Sequence, residues 1–146
     1  MTIRADHLRT DGNRQVIFFG TNDSNVPESR NHVPVSRFKD NLRYIVAAAR
    51  RAGSEVILVG PGPFNHHQFA DAVEEGFFID RTTPRARAYC KAVVELGYEL
   101  GVPTVPLWDL IMAKVGWKEG DPVFGLRELT ATNPLQEYLT DGKKVT

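Results

Sequence analysis

One cysteine, Cys90, stands in a chain of 146 residues, so no internal disulfide can form and any stability must come from packing. No apolar run approaches the roughly 20 residues needed to span a bilayer; Val56 to Val59 is strand-sized. The opening residues Met1-Thr2-Ile3-Arg4-Ala5-Asp6 hold no apolar stretch of the kind a secretory signal uses. Net charge is also missing: lysine plus arginine and aspartate plus glutamate number 18 each, so no bulk pull toward nucleic acid or anionic lipid is expected. A glycine–lysine phosphate loop is absent, and Gly60-Pro61-Gly62 lacks both the third glycine of a dinucleotide fingerprint and the backbone N–H groups that Pro61 and Pro63 remove. These absences leave a globular, cytoplasmic, single-domain chain (1–146) as the expectation.

What is present is a repeating alternation. Gln15 to Phe19 is a β-branched and aromatic run closed by Gly20. Ser36 is placed to cap a helix whose apolar positions Phe38, Leu42, Ile45, Val46 and Ala49 share one face, with Arg50, Arg51 and Gly53 at its end. Glu55 to Val59 repeats the strand pattern and breaks at the glycine–proline run. Thr83-Pro84 starts a second helix with Tyr89, Val93, Leu96 and Leu100 as its buried stripe and Gly101 as its stop. Residues 103–107 read as a third strand weakened by Pro103 and Pro106, and Asp109 as the cap of a short helix. The order strand, helix, strand, helix, strand, helix predicts a three-layer α/β fold with parallel strands near 15–19, 55–59 and 103–107. Functional groups in such sheets gather at the carboxyl edges of the strands.

Among candidate sites, His66, His67 and Asp71 offer too few convergent donors for a metal centre, and Cys90 sits among helical apolar positions that suit packing. Residues 64–82 carry no clean period and read as a loop or lid; residues 117–146 read as irregular. The sharper feature is Phe18-Phe19-Gly20-Thr21-Asn22-Asp23, where a strand delivers an asparagine to the sheet's functional edge, either to donate into a site or to form a polar turn.

Gly20-Thr21-Asn22-Asp23 resembles the Gly-x-Asn-Asp block of SGNH (GDSL-type) hydrolases. His32-Val33-Pro34, Tyr44, Val56-Ile57-Leu58-Val59-Gly60-Pro61 with Pro63, Arg81-Thr82, Val105-Pro106-Leu107-Trp108-Asp109 and Tyr138-Leu139-Thr140-Asp141-Gly142 follow in the order of the isoamyl acetate-hydrolysing branch. The resemblance implies a short-chain ester hydrolase that needs no metal or cofactor. It implies that Asn22 donates to the oxyanion and that Asp141 orients a catalytic histidine. Two departures bear on mechanism: no Gly-Asp-Ser triplet occurs, and Lys144 occupies the place of the histidine, where its amine is expected to stay protonated. The chain is therefore expected to be a truncated, partial SGNH domain, inactive by itself, or else a remnant or pseudoenzyme. Its expected partners are a small ester substrate if active, no nucleic acid and no membrane span, and a second copy through the 15–19 strand edge.

Overall fold

A computed structural model describes residues 13–64 and 82–121. Three strands, β1 (Arg14–Phe18), β2 (Glu55–Val59) and β3 (Thr104–Val105), alternate with three helices, α1 (Val35–Arg51), α2 (Thr83–Leu100) and α3 (Leu107–Lys114). The strands form one sheet in the order β1-β2-β3, and both pairings are parallel. The parallel α/β arrangement expected from the alternation is thus present.

Register decides which apolar residues are core. Ile17 pairs with Leu58, and Leu58 with Thr104, so these point to one face. On that face α1 and α2 contribute Phe38, Leu42, Val46, Tyr89, Val93 and Leu96 to a single buried cluster with Ile17, Val56 and Leu58. Phe38 meets Tyr89 edge to face at 5.2 Å, and each such side chain stabilises the fold by roughly 1.5–3 kcal/mol on burial. Gly97 of α2 lies so close to β3 that a Cβ there would fall 2.0 Å from Thr104 Cγ2. The opposite face carries Val16, Phe18, Val59 and Val105; Val16 is 66% and Phe18 51% exposed. The described helices α1 and α2 cover one face; the second helical layer of a three-layer arrangement is not supplied by the described residues.

Several boundaries differ from the sequence expectation, each for a local reason. Helix α1 starts at Val35, with Pro34 at the cap position and no side-chain cap, so Ser36 lies inside the first turn and does not cap it. The Pro34 carbonyl takes the Phe38 N–H at 2.9 Å, which sets the first turn two residues earlier than a Ser36 cap would. Strand β3 spans two residues where five were expected, because Pro103 and Pro106 have no N–H to donate and Leu107 already begins α3. Asp109 is in the first turn of α3, not its cap; Pro106 holds the cap position and accepts from Leu110 N–H at 3.0 Å. The stop of α2 is as read: Gly101 takes the left-handed conformation, φ +60°. Residues 65–81 and 122–146, with His66, His67, Asp71, Asp141 and Lys144, lie outside the described residues. Among the described residues, no helix is long and apolar enough to cross a membrane.

Candidate active site

The carboxyl ends of β1 and β2 converge. Gly20, at φ +116°, makes a turn that L side chains rarely adopt, and a Cβ on it would stand 3.2 Å from both Phe38 Cζ and Pro61 Cδ. The chain can leave β1 at this angle, against the Gly60-Pro61 turn, only with glycine at position 20. Gly60 is equally confined, since a Cβ there would be 2.6 Å from Cys90 Sγ. The glycine–proline run is therefore a packing turn against α2, in line with its missing phosphate-binding N–H groups.

Asn22 follows in a compact turn. Ser24 N–H donates to the Gly20 carbonyl at 2.9 Å and Asn25 N–H to the Asn22 carbonyl at 3.1 Å. The Ser24 hydroxyl donates to the Thr21 carbonyl at 2.9 Å. Further along, Val33 N–H donates to the Asp23 carbonyl at 3.2 Å, and the His32 ring Nδ1 sits 3.1 Å from the same oxygen. Asn22 itself is exposed, whereas Ser24 and Asn25 are buried. Its side-chain amide is thus carried at the sheet edge on a turn whose backbone is closed by hydrogen bonds. Asp141, the other expected member of the site, lies outside the described residues.

Beside this turn opens a cleft of about 240 Å³. Phe18, Thr21 and Ser24 form one wall, Gly62 to Phe64 the floor, and Thr82, Ala86, Leu107 and Ile111 the far side. Its lining is mostly apolar, which suits an alkyl or short acyl group; Thr21 and Ser24 bring the Asn22 turn to its wall, and Asn22 itself is not among the lining residues. Thr83 fixes the floor: its hydroxyl accepts from Phe64 N–H at 3.1 Å and donates to the Phe64 carbonyl. Its own carbonyl takes Trp108 Nε1–H at 3.0 Å, which ties α3 to the start of α2.

Two nearby groups are structural. Cys90 is fully buried, desolvation pushes its thiol above the ordinary value, and the side chain packs against Gly60. Arg87 lies over Trp108 and Trp117, 4.7 and 4.8 Å from the ring centroids, and is hydrogen-bonded to Glu119. That bond, rather than burial, dominates and raises the guanidinium further above its ordinary value. Trp108 and Trp117 meet edge to face at 5.1 Å, and Arg87 of α2 over both rings ties α2 to α3 and the segment after it.

The cleft walls from α2 and α3 were not singled out by sequence patterning. Leu107 reads as the end of the third strand and Ile111 as an ordinary helical apolar position, whereas the helix that begins at Leu107 brings both to the cleft.

The parallel α/β sheet, with the Gly-x-Asn-Asp turn at the carboxyl edge of a strand, has a fold of the SGNH type. A lipase/acylhydrolase from Enterococcus faecalis superposes with a TM-score of 0.51 at 22% identity, covering 67% of this chain and 43% of the other, and shares the fold. In sequence, the chain is 28% identical over 114 residues to a GDSL esterase/lipase of Arabidopsis thaliana, covering 70% of this chain and 47% of that protein. It is 29% identical over 101 residues to the isoamyl acetate-hydrolyzing esterase 1 homolog of Rattus norvegicus, covering 65% and 41%. A GDSL esterase/lipase of Oryza sativa subsp. japonica is 28% identical over 108 residues, covering 70% and 42%. No family model matches. The chain is thus similar in sequence to GDSL esterase/lipases and to an isoamyl acetate-hydrolyzing esterase homolog, and spans less than half the length of these curated proteins.

Proposed function

We propose that this chain is the oxyanion-donor portion of an SGNH-type hydrolase of short-chain acyl esters, acetate esters in particular, and that the 146 residues by themselves do not turn ester over. The observation that carries this reading is Asn22 on its hydrogen-bonded turn beside the apolar cleft. In this reading Asn22 donates to the oxyanion and Asp141 is the acid that orients a histidine. Acyl transfer needs a nucleophile, a base in hydrogen-bond reach of it, and donors aimed at the developing oxyanion. The polypeptide has no Gly-Asp-Ser triplet, and Lys144 stands where the resemblance expects the base. Loss of nucleophile or base in a serine hydrolase lowers turnover by on the order of a millionfold. A cytosolic location belongs to the same proposal. Purified protein incubated with p-nitrophenyl acetate is expected to give the background rate, unchanged in Asn22→Ala. Turnover lost in Asn22→Ala, together with labelling by a fluorophosphonate, would refute the inactive reading and direct attention to Ser24.

A second reading is favoured by the sheet edge: a non-catalytic remnant that pairs with a second copy of itself. Among the described residues strand β1 is terminal in the sheet, and Val16, Phe18 and Phe19 are 66%, 51% and 54% exposed. The outward backbone of an edge strand, beside exposed apolar side chains, forms a template for another strand.

A further inference from the structure

The turn that carries Asn22 is gripped by a side chain from a distant part of the chain. Arg85 of α2 donates Nε–H to the Ser24 carbonyl at 2.9 Å and Nη2–H to the Asn25 carbonyl at 2.7 Å. Ser24 and Asn25 are 2% and 0% exposed, so their carbonyls have little access to water and depend on protein donors. The rigid fork of a guanidinium spans two successive carbonyls; a lysine ammonium cannot reproduce that geometry.

The position of Arg85 is otherwise unfavourable. It is the third residue of α2, whose first turn holds no acidic residue, so a cation there opposes the helix dipole. Helix stability does not account for it. What the guanidinium gains at that point is the pair of carbonyls in the Asn22 turn.

The start of α2 supplies Thr82, at its cap position, and Ala86 to the cleft, while the Asn22 turn supplies Thr21 and Ser24. We infer that Arg85 is a positioning residue that ties these two walls together, setting both the width of the cleft and the direction of the Asn22 amide. The amide's purpose rests on the reading of Asn22 as oxyanion donor; the clamp itself does not. Tyr89 provides a comparison, because its hydroxyl donates to the Val33 carbonyl at 2.5 Å and holds the same loop at its far end.

The test uses the full chain as wild type, Arg85→Met, Arg85→Lys and Tyr89→Phe, each first shown to unfold cooperatively. Amide hydrogen exchange at Ser24 and Asn25, whose N–H groups close the turn, is the first measurement. Arg85→Met is expected to raise those rates at least about tenfold, Arg85→Lys less, and Tyr89→Phe to leave them near wild type, as local opening would dictate. The second measurement is a butyrate titration read at the Asn22 side-chain amide by two-dimensional ¹⁵N NMR. A saturable shift in wild type, lost in Arg85→Met and partly restored in Arg85→Lys, is the expected result. Unchanged exchange in Arg85→Met overturns the clamp, whatever butyrate does. A wild-type chain that shows the exchange pattern yet ignores butyrate supports the clamp and overturns the oxyanion role of Asn22.

Discussion

Replacing Gly60 by alanine drives a methyl group into α2 and tests how rigidly the cleft floor is held. The new Cβ would lie 2.6 Å from Cys90 Sγ, 3.0 Å from Cys90 Cα and 3.2 Å from Cys90 Cβ. Ordinary carbon contacts sit at about 3.5–4.0 Å, so the overlap with sulfur is near 1 Å. Cys90 Sγ is fully enclosed and Cys90 Cα moves only with the helix, so the cost belongs in the upper part of the range of about 1–3 kcal/mol for overpacking. Gly60 is not at positive φ, so alanine also narrows the unfolded ensemble, which offsets about 0.4–1 kcal/mol. The net expected loss is about 1–2 kcal/mol. With a urea slope of about 1–3 kcal/mol per molar, the midpoint falls by roughly 0.3–2 M. Cys90→Ala alone loses buried contacts, but in the double variant it makes room for the methyl group added at position 60, so the two changes should couple favourably by about 1 kcal/mol or more. Equilibrium urea unfolding of the four proteins, with slopes compared, is the assay. A Gly60→Ala midpoint equal to wild type, or simple additivity in the double variant, would refute the close approach of β2 to α2.

The exposed ion cluster on α1 and α2 predicts acid sensitivity: hydrogen bonds from Arg43, then Lys39, hold the Glu99 carboxyl below its ordinary value of 4.5, and that from Arg87 does the same to Glu119. A depressed folded value stabilises above the unfolded one and is lost as pH falls through the folded one, so stability should decline below pH 4.5, less steeply in Glu99→Gln and in high salt. Equal slopes of urea midpoint against pH in wild type and Glu99→Gln would show that the cluster contributes nothing. At the sheet edge, Val16→Lys is expected to convert an associating chain to a monomer by light scattering without loss of folding. Ile17→Lys instead places a charge in the core and should unfold the chain, and a wild-type monomer at high concentration would remove the edge-pairing reading.

The alternation of short β-branched runs with 3.6-period stripes was enough to place the three described helices and the two longer described strands. Those patterns arise from neighbours within one turn or one strand, where backbone sterics and solvent act on local residues alone. Asn22 was legible for the same reason, since a glycine and an asparagine in nearby turn positions need no distant partner to be noticed. The limits of β3 were partly legible, because two prolines bracket it and leave only Thr104–Val105 free to pair.

Tertiary structure alone decided the rest. Val16 and Ile17 are equally apolar, yet pairing with β2 sends Ile17 inward at 6% exposure and Val16 outward at 66%. Gly60 and Gly97 look like turn or flexible residues until Cys90 and Thr104 are seen pressed against them. Arg85 looks like a poor choice for a first helical turn until Ser24 and Asn25, some sixty residues earlier, present their carbonyls to it. Local sequence specifies what each segment can bury and where the chain can turn; which buried surfaces meet, and which carbonyls a guanidinium finds, follow only from the long-range packing of a parallel sheet whose neighbours are far apart in sequence.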